Sequence, residues 1–393
     1  MTYFKKRIEM TIKSILNNYE IFKEKRLKDR FFKHDTIVDL LNQLPGDFEV
    51  NELGKSVKSK SINLVKFGNG ATKVMLWSQM HGDEATGTMA LFDLFTFLQS
   101  DHQLAKLITE NCQLFFIPMV NPDGAEVFTR RNAQQIDINR DFLKETSPEA
   151  KLLKQCRADI KPDFGFNLHD QQTLWSVTGT LKPATLSFLA PATDEELSVN
   201  KTRENAMLVI ADMFSELDQL LPKHIGLFDD EFEPRAFGDN FQKAGTSTVL
   251  IEAGGYASDY EKQEIRKHYF TAILSGLLAI ATKSYEKQDL KNYFAIPKNN
   301  KQIFHMLIHG VLLGGIAVSV GINYDEYPNA DGNSTFKKYS IQDIGDLSFC
   351  DAYHNYSSPS LSLNGNIILY QNANFELLDG DKTILSFENG ILL

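Results

Sequence analysis

Apolar residues return along this chain in two rhythms, and the rhythm changes twice. Ile8, Ile12, Ile15 and Tyr19 recur at the spacing of one helix face, so residues 1–50 read as an N-terminal helical extension. From Leu53 to about Ser284, strand-like and helix-like runs alternate. Ile62–Phe67, Lys73–Ser78, Gln113–Met119, Phe164–Leu168 and Ser247–Glu252 have strand character. Ala85–Gln99, Ala150–Ala158, Arg203–Gln219 and Tyr260–Tyr285 carry helical patterns. Strands that alternate with long helices predict an α/β domain over 51–287, with a mixed, largely parallel central sheet covered by helices.

Beyond Lys287 the runs shorten. Asn364-Gly365, Asp379-Gly380 and Asn389-Gly390 separate them and signal hairpins, so 288–393 is expected to be a small all-β C-terminal domain. The apolar stretch Met306–Ile322 raises the possibility of a membrane span. Gly314-Gly315 divides it into two β-rich halves, each far short of the ~20 residues a spanning helix needs. A buried hairpin is the expectation.

The chemistry concentrates where strand runs end. His81 and Glu84 lie between the strand formers Val74–Ser78 and the helical run from Ala85, and His169 closes the run Phe164–Leu168. Two imidazoles and a carboxylate at the mouth of a sheet match a zinc site with three protein ligands and an open fourth position. Taken singly, His81 reads as a turn residue, Glu84 as a helix cap and His169 as a core histidine. The ordered set favours ligation of one Zn2+ ion.

The ordered blocks Gly54-Lys55-Ser56-Val57, His81-Gly82-Asp83-Glu84, Asn121-Pro122-Asp123-Gly124, Asp137-Ile138-Asn139-Arg140-Asp141-Phe142, His169 and Ile251-Glu252 resemble the M14 zinc carboxypeptidases over roughly residues 50–285. The resemblance implies a zinc metallocarboxypeptidase that hydrolyses a C-terminal peptide or peptide-like amide bond. It assigns the metal to His81, Glu84 and His169, and the general base and acid to Glu252, which follows the strand Thr248–Ile251. Asn139 and Arg140 match the pair that grips the substrate's terminal carboxylate. Arg131 is expected to polarise the scissile carbonyl, with Arg130 as its competitor. Asn121–Gly124 is expected to be a turn shaping the cleft floor, and Asp83 to orient a ligand imidazole.

Two features depart from the digestive members. No tyrosine occurs between Trp175 and Tyr256, and His169 is followed by Asp170-Gln171-Gln172, which resembles the desuccinylase and aspartoacylase branch. Hydrolysis of N-acyl amino acids is therefore the alternative activity, and a non-catalytic peptide-binding module is a third reading. The short interval from Glu84 to His169 implies trimmed loops around the cleft. Asp229, Asp230, Glu231 and Glu233 hint at a basic substrate end, and Phe232, Phe237 and Phe241 at an apolar one.

Charge narrows the partners. A net charge of −10 disfavours nucleic acid, and the basic run Lys23–Lys33 reads as the solvated face of an N-terminal helix. The expected partner is a peptide or N-acyl amino acid with a free carboxylate, with neither nucleic acid nor membrane involved. Three scattered cysteines do not make a disulfide framework, and the N-terminus lacks a secretory pattern, so the cytoplasm is the expected compartment.

Overall fold

The structure is a computed structural model and describes residues 11–393, so Ile8 of the N-terminal apolar series lies outside the described residues. The chain forms two compact units. The first contains the described residues up to Gln172 together with Ala184–Asn299, and the second contains Thr173–Pro183 and Asn300–Leu393. The second unit thus starts after the change of texture near Lys287 and takes in a short excursion that no compositional signal announces.

The first unit is built on one sheet. Its strands are β1 (Glu49–Lys55), β2 (Ser61–Phe67), β3 (Thr72–Ser78), β4 (Cys112–Ile117) and β5 (Phe164–Asp170); β6 (Ser176–Val177) lies in the second unit; β7 (Leu186–Leu189), β8 (Ile225–Leu227) and β9 (Ser247–Ala253) complete the sheet. The spatial order is β1-β2-β4-β3-β5-β9-β7-β8. The centre, β4-β3-β5-β9, is parallel throughout. Antiparallel pairing is confined to β1 with β2, β2 with β4, and β7 with β9. The expected mixed, largely parallel sheet is present.

Helices cover both faces. Thr86–Leu98 is buried nearly all round, as its almost uninterrupted apolar sequence requires, and shares the larger core with Phe270 and Leu274 of helix Gln263–Thr282. Pro148–Ile160 and Phe237–Lys243 pack on the opposite face around Trp77. The strand β1 escaped the pattern because it is mostly exposed and polar, with no alternation to read. The strands β7 and β8 are too short for periodicity to register.

The basic run Lys23–Lys33 corrects its expectation: it is irregular chain between a short helical stretch ending at Ile21 and the helix His34–Asn42. Backbone groups there are claimed by a buried ion pair, which pulls the segment out of helical hydrogen bonding. Arg266 and Asp93 are both fully buried and paired. Arg266 also donates to the carbonyls of Leu27 and Glu24 (2.5 and 3.0 Å), while Asp93 accepts from Glu24 N and from the Tyr19 hydroxyl (2.8 and 2.6 Å). Removing one partner of such a pair costs about 3–5 kcal/mol. Arg266→Met should lower unfolding free energy by that amount in urea titration; a loss under about 1 kcal/mol would show that this network does not hold the segment.

In the second unit, Ile303–Leu313 and Ile316–Pro328 form a hairpin with Gly314 and Gly315 at positive φ in the turn; it is buried around Met306–Ile308 and Val320–Ile322, but its tip exposes Leu312 and Ile316, which corrects the expectation that all of it is buried. No helix among the described residues is long and apolar enough to cross a membrane. His305 is buried against Tyr324, ring centroids 3.6 Å apart; its Nδ1 accepts from Tyr324 N and its Nε2 meets the Thr173 hydroxyl. Burial, with Lys337 and His354 nearby, pushes this imidazole down to about 3. The folded value lies below the unfolded one of about 6.5, so its stabilising contribution is complete above pH 6.5 and is lost as pH falls toward 3. His305→Gln should flatten the decline in urea midpoint of this unit between pH 6.5 and 4. An unchanged slope would contradict the assignment.

Candidate metal centre

Three elements deliver the central side chains to the carboxyl ends of the parallel strands, where open α/β sheets place their ligands. The strand β3 ends at Ser78, and the loop that follows carries His81 and Glu84 into the helix Thr86–Leu98. A Cβ at Gly82 would lie 2.1 Å from the carbonyl carbon of Gly124, so only glycine allows these two loops to meet. Asn121–Gly124 provides that backing: Asn121 caps the short helix Pro122–Glu126, and buried Asp123 accepts from Ser56 Oγ and Lys58 N.

The carboxylate of Glu84 lies between the imidazoles. Its Oε1 is 2.6 Å from His81 Nδ1 and its Oε2 is 2.7 Å from His169 Nδ1. All three residues are buried, and one potential ligand atom from each falls within 4.8 Å of the others. They are the one group of three or more metal-ligating side chains found among the described residues. Burial opposes ionisation of Glu84, yet His81 and His169 hold it well below the usual carboxylate range. Two nitrogens and a carboxylate oxygen fit the preferences of zinc.

Asp137 Oδ1 is 3.1 Å from His81 Nε2, and Asp137 is itself held by the Arg130 guanidinium. The expectation for Asp83 is corrected here: the carboxylate on the His81 imidazole is Asp137, while one Asp83 oxygen is buried without a partner. Asp137 stands in the block Asp137-Ile138-Asn139-Arg140, but nothing local in the sequence marks it as the carboxylate that meets His81.

Of the two arginines, Arg130 reaches the cluster. Its Nη1 is 3.1 Å from His81 Nδ1 and 3.3 Å from Glu84 Oε1. Arg131 is exposed and donates to the Gln135 carbonyl. The expectation for Arg131 is corrected by this geometry, since consecutive side chains in the loop diverge and only the first faces the imidazoles.

Glu252 is paired in parallel register with His169 on the neighbouring strand. One of its oxygens is buried with no hydrogen-bond partner. Burial pushes this carboxyl well above its usual range; Glu84 and Asp170 add to the effect, and Lys262 and Arg130 oppose it. Sequence reasoning missed the clamp behind these two residues. Buried Lys262 donates to Asp170 Oδ2 (3.0 Å) and to the Ala253 carbonyl (2.9 Å), tying together the ends of β5 and β9. Lys262, with φ +51°, stands just before the helix Gln263–Thr282, although the sequence pattern Tyr260–Tyr285 included it.

Asn139 is buried and accepts from Phe237 N at 3.0 Å, fixing the start of helix Phe237–Lys243. Arg140 is half-exposed and faces Glu233 at 3.2 Å. Of the acidic run expected near the substrate, Asp230 is instead paired with buried Arg203, and Phe237 and Phe241 are fully buried in the core.

Residues 34–194 match the family model described as zinc carboxypeptidase. Carboxypeptidase SOL1 of Arabidopsis thaliana is 33% identical over 103 residues, covering 23% of this chain and 21% of that protein. The catalytic chain of human carboxypeptidase N is 26% identical over 140 residues, 29% of this chain and 31% of the relative. The chain thus spans about a fifth of the length of the first curated relatives it matches. Among solved structures, bovine thrombin-activatable fibrinolysis inhibitor bound to tick carboxypeptidase inhibitor superposes with a TM-score of 0.53 at 14% identity, covering 66% of this chain and 98% of that one. A metallo-carboxypeptidase from Pseudomonas aeruginosa, solved with (2-guanidinoethylmercapto)succinic acid, gives 0.51 at 17% identity, covering 65% and 70%. These similarities establish the shared fold.

Proposed function

We propose that this M14 zinc carboxypeptidase-like chain is a metallocarboxypeptidase, removing the C-terminal residue of a peptide or peptide-like substrate. The observation that carries the reading is the buried Glu84 carboxylate set between two imidazole Nδ1 atoms, with Glu252 in register beside His169. In this reading His81, Glu84 and His169 hold one zinc ion. When bound, the ion would supply Lewis acidity and lower the pKa of a water molecule to about 7.

The chain's own groups account for the remaining steps. Glu252 takes the proton of the attacking water and delivers it to the leaving nitrogen, a role that suits a carboxyl group held in register beside His169. Asp137 holds the His81 ring through Nε2, which leaves Nδ1 directed at the cluster. Arg130 places a fixed positive charge at the cluster, suited to an oxyanion on the scissile carbonyl. Arg140 pairs with the substrate's terminal carboxylate and so restricts cleavage to the last bond.

The two arginines offer a test. Arg130→Ala should lower kcat by roughly 100- to 1,000-fold, the scale for a lost oxyanion donor. Arg131→Ala should stay within about threefold of wild type, as expected for an exposed surface side chain. Steady-state kinetics on short peptides, run beside N-acyl amino acids, measure both effects; release of the acyl group in preference to a terminal residue would transfer the site to amidohydrolase chemistry.

A further inference from the structure

Arg140, the residue that in the proposed function grips the substrate's terminal carboxylate, already holds a carboxylate. Its Nε lies 3.2 Å from Glu233 Oε2, while its Nη1 donates to the Asn139 carbonyl at 2.9 Å. Both side chains keep access to solvent, 37% for Arg140 and 25% for Glu233, so a dissolved anion can reach this contact and contest it.

Two loops build the contact. Arg140 ends the short turn Ile138–Arg140, which Asp137 caps, and Glu233 opens the turn that leads into helix Phe237–Lys243. Phe142 N donates to the Arg235 carbonyl (3.2 Å) and Phe237 N to Asn139 Oδ1 (3.0 Å), so backbone groups fix one loop against the other. Glu233 also has a second cation. Arg235 Nε reaches Oε1 at 2.8 Å and Arg235 Nη2 reaches Oε2 at 2.7 Å, a bidentate pair, and the Arg235 backbone N–H adds a bond to Oε1 at 3.1 Å. These bonds from Arg235, with the nearby charge of Arg140, hold the Glu233 carboxyl down at about 2, so it is an anion at any working pH. If Arg140 turned away, Glu233 would keep every bond from Arg235.

We propose that Glu233 occupies the place of the substrate's terminal carboxylate on Arg140 in the free protein, and that an arriving substrate displaces it onto Arg235 alone. This rests on the carboxylate-gripping role given to Arg140 in the metallocarboxypeptidase reading. The exchange puts one carboxylate in place of another on the same guanidinium, and neither anion is left without a cation. Its cost is one part-exposed ion pair and the repulsion between two carboxylates drawn near each other. Glu233 is therefore an affinity-determining residue: it weakens binding of any substrate with a free terminal carboxylate, and Arg235 offsets part of that effect by drawing Glu233 away.

The test measures, by calorimetry, binding of an N-blocked dipeptide and of its C-terminal primary amide to zinc-loaded Glu252→Gln protein and to the same protein with further substitutions. Glu233→Gln should tighten the dipeptide by roughly two- to fivefold, the scale for releasing a part-exposed ion pair, and leave the amide unchanged. Arg235→Met should weaken the dipeptide by a similar factor, since Glu233 then has only Arg140 to hold. In the double variant that weakening should vanish, because Arg235 acts through Glu233. Damage to the fold would weaken binding in both single variants and cannot give opposite signs. Dipeptide binding that is unchanged or weaker in Glu233→Gln overturns the proposal. An Arg235 effect that persists in the double variant also overturns it, and places Arg235 on the substrate. Arg140→Met separates this inference from the reading beneath it. If that variant loses the preference for dipeptide over amide while Glu233→Gln changes nothing, the anchor stands and the inference fails; if it keeps the preference, both fall. The expected affinities without hydrolysis by the wild type would leave the inference standing and refute the hydrolase reading.

Discussion

Glu252→Gln protein should fold, bind zinc like the wild type and lose hydrolysis by about 100- to 10,000-fold, the range for removing a general acid–base group. The substitution keeps the shape of the side chain and removes its capacity to take a proton. Folding should survive because one Glu252 oxygen has no partner to lose, and an amide carries no charge to bury at that position. The residue is held from behind, by register pairing with His169 and by Lys262 on the Ala253 carbonyl, and neither contact involves its carboxyl group. The loss should therefore appear in kcat, with KM changed little. Activity within about tenfold of wild type would remove Glu252 from proton transfer, and Glu84 or Asp170 would then be the carboxylates left to examine.

Much of the scaffold could be read from the chain because its central strands and long helices obey strong periodicities. Phe164–Leu168, interrupted by Asn167, and Thr248–Ile251 are predominantly apolar runs, as buried parallel strands require, and they became β5 and β9. The cluster proposed to hold the ion was legible for a related reason: His81, Glu84 and His169 stand just past the ends of such runs. What escaped was determined by tertiary contact. The run Lys23–Lys33 has the composition of an exposed helix, but Arg266 and Asp93, far away in sequence, claim its backbone. Arg130 and Arg131 are adjacent, and only the path of the loop decides which one faces His81. Asp137 and Asp83 are both carboxylates near the proposed ligands, and only geometry shows that Asp137 meets the His81 imidazole. The role of Lys262 was not legible because its partners, Asp170 and Ala253, lie at the ends of two separate strands.

A second large effect concerns the ion itself. His169→Ala removes one of two nitrogen donors and should cost essentially all bound zinc, and with it all hydrolysis, because a site left with His81 and Glu84 has only two protein ligands. The variant should still fold, since His169 Nε2 has no partner and the ring's contacts are confined to the cluster. Alanine at Arg131, outside the cluster, serves as the control for nonspecific effects.

The most direct measurement is the zinc content of purified protein, determined by elemental analysis on wild type, His81→Ala, Glu84→Gln and His169→Ala after equilibration with the metal. One zinc per wild-type chain and almost none in each variant is the expected result. A wild type that holds no zinc, or variants that hold as much as it does, would contradict the convergence of His81, Glu84 and His169 on a single ion.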